Sequence, residues 1–174
     1  MHRAVARLTE LMPLPPGGGV PVDWDAVVEQ WRTELPADYR EFMELYGAGS
    51  VNESFHVVWP TVPAALKGQH GIFDLASVTQ LGRAQFGEEP TVFEHARDRI
   101  CWAFDIGANR LYWETSSGDP NQWTVVGLAR EGEWIDFACG MVEYMARLVA
   151  GEIDDPLMTL WDPETPAYER WELD

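Results

Sequence analysis

The stretch LPADYREFMELYGAGSV, Leu35 to Val51, holds a proline, an aromatic stripe and a Gly-Ala-Gly-Ser corner. Pro36 loses no hydrogen bond in a first helical turn, so it can open a helix. Tyr39, Phe42, Met43 and Tyr46 then fall at i, i+3, i+4 and i+7, which makes one apolar face. Asp38, Arg40, Glu41 and Glu44 are left for the wet face. Gly47 follows the last periodic residue, where a left-handed residue is wanted. Gly49 is expected to let the chain turn onward. A phosphate-cradling loop would need a lysine and a strand before it. Here a helix precedes the glycines, so the corner ends a helix.

Upstream, Val5, Leu8 and Met12 have helical spacing, and PLPPGGGVP (Pro13 to Pro21) breaks regular structure. Asp23 is placed to cap a helix carrying Trp24, Val27, Val28 and Trp31. Downstream, Phe55 to Trp59 reads as a strand, and Phe73 to Phe86 as a helix capped by Asp74. Ile100 to Asp105 and Leu111 to Glu114 flank Ile106–Arg110 as an antiparallel hairpin. The polar turn Ser116 to Gln122 leads into a third strand, Trp123 to Leu128, and Arg130 to Glu133 turns the chain before Trp134. Asp136 precedes a helix bearing Met141, Met145, Leu148 and Val149, which closes at Gly151. Helices, then strands, then a closing helix predict an α+β fold: a mainly antiparallel twisted sheet packed by N-terminal helices and a closing C-terminal helix. The expected divisions are a helix and Pro/Gly-rich loop over 1–22, the main domain over 23–153, and an acidic tail over 154–174. That tail is expected to pack in part through Leu157, Leu160 and Trp161.

The length of 174 residues suits one domain, and a hydrophobic share of 46% with nine tryptophans supports a real core. Twelve basic against twenty-nine acidic residues give 12 − 29 = −17. Such a charge repels phosphates and anionic lipid and attracts cationic partners. Basic residues are too scattered for a nucleic-acid interface. No apolar run reaches the roughly 20 residues of a membrane span, and the first dozen residues lack a signal-peptide core. A cytoplasmic location is expected.

Cys101 and Cys139 lie in apolar contexts and read as buried thiols. His2, His56, His70 and His95 show no ligand spacing, so neither a metal nor a cofactor is expected. A Cys101–His56 nucleophile pair has no local signature of activation. Carboxylates are so abundant that none is singled out as an acid or base, and no catalytic residue is assigned. Trp59, Trp102, Trp113, Trp123 and Trp134 lie on or beside strands. Most should be core, and any left exposed would anchor an interface. The candidate partner-binding residues are Glu41, Glu44, Glu53, Asp119 and Trp123. An acidic rim around an aromatic anchor suits a basic protein partner, with no small-molecule substrate expected.

Leu35, Pro36, Asp38, Tyr39, Phe42, Tyr46, Gly47 and Gly49 together resemble the N-terminal motif of the SUKH superfamily, the Smi–Knr type. Trp31, the strands around Trp102 and Tyr112, and Gly132–Ile135 before Phe137 look similar too, so the likeness spans roughly Asp23 to Gly151. The resemblance implies a non-enzymatic α+β domain. In bacteria it implies an immunity protein that neutralises a cognate polymorphic toxin, often a nuclease or deaminase. The alternative it implies is a scaffold or regulatory interaction domain. It brings no catalytic set to carry over.

Overall fold

The structure, a computed structural model, describes residues 1–63, 71–85, 99–153 and 165–171. Among these are five α-helices and a seven-stranded antiparallel sheet, an α+β fold. The helices are α1 (Arg3–Leu11), α2 (Trp24–Trp31), α3 (Ala37–Leu45), α4 (Leu75–Gln85) and α5 (Met141–Val149). The strands are β1 (Gly49–Val51), β2 (Phe55–Val57), β3 (Arg99–Asp105), β4 (Arg110–Glu114), β5 (Thr124–Leu128), β6 (Trp134–Asp136) and β7 (Tyr168–Arg170). Their order across the sheet is β6-β5-β4-β3-β2-β1-β7.

Neighbouring residues on a strand face opposite ways, and this sorts the helices into two layers. On β4, Trp113 meets Tyr39 of α3, with ring centroids 4.9 Å apart. Trp102 of β3 meets Tyr144 of α5 at 6.1 Å. Their neighbours point away: Cys101 donates its N–H to Thr79 Oγ1 of α4 at 2.9 Å, and the Tyr112 hydroxyl lies against Gly82. The sheet is therefore covered by α1, α3 and α5 on one side and by α4 on the other. A bulge between Cys101 and Ala103 re-aims Trp102 into the main core. Trp102 and Trp113 are fully buried there, and Trp59 is buried as well, as expected of most strand tryptophans.

Local chemistry explains most boundaries. Asp23 caps α2 by accepting from Ala26 N at 3.1 Å. Asp74 accepts from Ser77 N at 2.8 Å while Ser77 Oγ accepts from Asp74 N at 2.9 Å, a reciprocal cap on α4. Pro36 is the N-cap of α3, one place earlier than a first-turn proline. Asp136 ends β6 instead of capping α5, whose N-cap is Gly140 with no side-chain cap bond of its own.

The strand run from Phe55 stops at Val57, and Trp59 goes on to bridge Asp74. Three strands, β1, β6 and β7, were not singled out by pattern; each has three residues. The helix α1 buries Val5 and Leu8 in the common core, and β7 pairs with β1. Both flanks of the expected main domain thus join its body. Leu157, Leu160 and Trp161 lie outside the described residues.

Candidate functional site

The Leu35–Val51 segment forms a helix, a corner and a strand. Gly47 takes φ 73°, the left-handed residue expected after Tyr46. Its carbonyl accepts from the Tyr168 hydroxyl at 2.7 Å, and Arg170 packs over its Cα. Gly49 lies in β1, where a Cβ would collide with the Glu169 carbonyl oxygen of β7. Its requirement is close strand approach rather than a turn. The corner is occupied by the chain's own β7, which leaves no cradle for a phosphate.

Asp38 departs from the expected wet face: it is 8% exposed. One carboxylate oxygen accepts from Tyr39 N at 2.8 Å, and the other from Val142 N at 3.1 Å. The second bond caps α5 from α3 and supplies what Gly140 lacks. A carboxylate at a helix N-terminus also opposes the positive end of the helix dipole. Asp38 is therefore a brace between two helices and not a surface charge.

The five candidate binding residues separate. Glu44, Glu53 and Asp119 are exposed. Glu41 is part-buried, accepts from His2 N at 2.6 Å and lies 3.8 Å from the terminal ammonium. Asp119 caps the short 3-10 turn Pro120–Gln122, and neighbouring Asn121 accepts from Ala37 N at 2.9 Å, so this turn abuts the start of α3. Glu53 is at the β1–β2 turn with φ 55°.

Trp123 is corrected: it is 5% exposed, its indole N–H donates to Ser117 O at 2.8 Å, and its ring lies 6.3 Å from Trp113. It is a core residue and cannot serve as an exposed anchor.

The distribution of charge is one-sided. Acids such as Asp23, Asp25, Glu29, Glu44 and Glu53 are exposed. Among the described arginines only Arg3, Arg32 and Arg130 are exposed; the rest are part-buried. Arg99 pairs with Glu114 at 2.8 Å and lies 4.2 Å from the Trp134 ring centroid, and Arg170 donates to Gly18 O under the glycine loop. Sequence reasoning counted these cations but could not show that they turn inward.

Burial pushes the Cys101 thiol up to about 12 and raises Cys139 as well, so both are neutral at pH 7. His56 stacks between Phe104 at 4.9 Å and Trp171 at 5.9 Å. Burial lowers its pKa, with Asp105 opposing. Among the described residues no group of three or more His, Cys, Asp or Glu is placed to hold a metal ion, and no helix is long and apolar enough to cross a membrane. No protein-family model, no curated protein and no solved structure matches the chain.

Proposed function

We propose that this chain is a protein-binding module, specifically an immunity protein that neutralises a cognate basic toxin by direct contact, without catalysis or a cofactor. The toxin class that fits is a polymorphic nuclease or deaminase, whose nucleic-acid-binding surface would itself be basic. The observation that carries this reading is the charge asymmetry: a chain of net −17 exposes most of its described acids while most of its described arginines are part-buried. Such a surface steers cationic proteins and disfavours nucleic acid. The motif in Leu35–Val51 supplies the family likeness on which the toxin assignment rests.

The test is recovery of the partner from the native cell, followed by expression of that partner with and without this chain. A partner that arrests growth alone, and loses its toxicity when co-expressed, supports the reading. A stoichiometric partner that is harmless alone would replace it with a scaffold or regulatory role.

A further inference from the structure

On the side of the sheet that carries α4, four rings form a continuous row. Phe73, just ahead of α4, lies edge-on to Phe104 of β3 with centroids 5.4 Å apart. Phe104 meets its cross-strand partner His56 of β2 at 4.9 Å, and His56 stacks on Trp171, just past β7, at 5.9 Å. Each ring is only partly buried. The placement of α4 is the reason. The helix packs over β3 and reaches Tyr112 of β4 through Gly82, so the row runs out from under it toward the β7 edge.

A groove of about 100 Å³ opens at the α4 end of the row, lined by Phe73, Val78, Leu81, Phe104 and Arg110. Leu81 is 47% exposed there, and Ile106, on the turn after β3, is 60% exposed. The Ile106 N–H donates to Ser54 O at 3.0 Å, which sets it beside the start of β2. A single exposed apolar residue needs no explanation. Here two of them border a run of half-buried rings, and a contiguous apolar patch marks a contact site. Aromatic side chains are also where interfaces concentrate their binding energy.

Charge decides what can sit there. Glu169 of β7 and His56 of β2 both pair with Ser50 of β1, so their side chains share this face, and Glu169 is exposed at the Trp171 end. Glu53, exposed on the β1–β2 turn, adjoins Ser54 at the Ile106 end. The cation in the groove wall, Arg110 of β4, is at the opposite end from Glu169 and donates to Ala108 O at 3.4 Å. Burial holds His56 below the ordinary imidazole value against the opposing pull of Asp105, so the row of rings is uncharged at pH 7. Uncharged rings beside carboxylates favour a lysine or arginine, whose stem lies on the ring faces while its head reaches an acid.

We propose that this row is where the basic partner docks. An apolar side chain of the partner enters the groove beside Leu81, and a neighbouring cation lies along His56 and Trp171 toward Glu169. The inference rests on the reading of the chain as a binder of a basic protein, and it adds the face that binds.

The first test uses a defined probe, the capped peptide acetyl-Lys-Leu-Lys-Leu-Lys-amide, against its glutamate counterpart at matched ionic strength. NMR of the full-length protein follows the Trp171 indole N–H, assigned with Trp171→Phe, and the His56 ring protons. A saturable shift of both with the lysine peptide alone is expected. No saturable shift up to roughly 10 mM, or shifts confined to other signals, would overturn the inference. The second test measures binding of the partner recovered from the native cell. Leu81→Ser combined with Ile106→Ser, both at exposed positions and so compatible with folding, should weaken it roughly tenfold or more. Leu14→Ser, exposed in the N-terminal loop, should not. Unchanged affinity of the folded double variant for a partner that arrests growth would overturn this face and leave the proposed function standing. Weakened binding of a partner that is harmless alone would do the reverse.

Discussion

Replacing Asp38 by alanine removes the carboxylate that accepts from Val142 N in the first turn of α5. The carboxylate accepts from Val142 N at 3.1 Å while 8% exposed, and the α5 N-cap is a glycine without a side-chain bond. A hydrogen bond to a charged group is worth about 1.5–3 kcal/mol, and loss of an N-cap side chain alone typically costs about 1 kcal/mol. These overlap, since they describe the same N–H. The Asp38→Ala protein should therefore lose about 1.5–3 kcal/mol, a large share of the roughly 5–15 kcal/mol that holds a domain folded. Asp38→Asn keeps an acceptor oxygen and loses only the charge, so it should lose about 1 kcal/mol, in line with helix-dipole terms. Urea melts followed by far-UV circular dichroism measure both, and an unchanged denaturant slope shows that only stability moved. An Asp38→Ala loss below about 0.5 kcal/mol, the usual size for a surface change, would refute the brace between α3 and α5.

Gly49→Ala should destabilise by about 1–3 kcal/mol, because its Cβ meets the β7 backbone, and Gly47→Val by about 1 kcal/mol or more at φ 73°; thermal melts check both. Tyr168→Ala should cost about 3–5 kcal/mol if β7 is part of the core, and wild-type stability would show that it is not. A thiol reagent at pH 8 should label Cys101 and Cys139 only after denaturation, since burial keeps both protonated; rapid labelling of native protein would contradict this. The lowered pKa of His56 means that the unfolded chain binds a proton first. Its contribution is present above the unfolded value of about 6.5 and is lost as pH falls from there through the folded value. The His56→Phe protein should show a shallower decline over that window in pH-dependent melts.

Legibility in the sequence followed the range of the interactions. The helices α1, α2 and α3 could be read because their apolar residues repeat at helical spacing and each lies beside its own breaker or cap. The β3–β4–β5 meander could be read because its strands are five to seven residues long and polar turns separate them. The strands β1, β6 and β7 have three residues each, too few for alternation to show, and β2, equally short, could be read only because it opens the longer apolar run Phe55 to Trp59. Asp38 looked like a wet-face acid because its partner, Val142, is 104 residues away. Trp123 looked available because its acceptor, Ser117 O, is reached only after the short turn folds back. At the candidate site, residue types gave the sign of the surface. Only packing shows that the arginines turn inward and that Glu41 is engaged by the N-terminus.

The central claim, a basic partner drawn in by an acidic surface, is tested most directly by association kinetics. The measurement is the on-rate of the recovered native partner against ionic strength, for wild type and for a variant with Glu44, Glu53 and Asp119 changed to their amides. The Debye length shrinks from about 30 Å at 0.01 M salt to about 8 Å at 0.15 M, so steering should fade across that range. The account predicts a wild-type on-rate that falls several-fold with salt, a flatter dependence in the variant, and dissociation nearly unchanged in both. An on-rate that ignores salt in wild type and variant alike would contradict it.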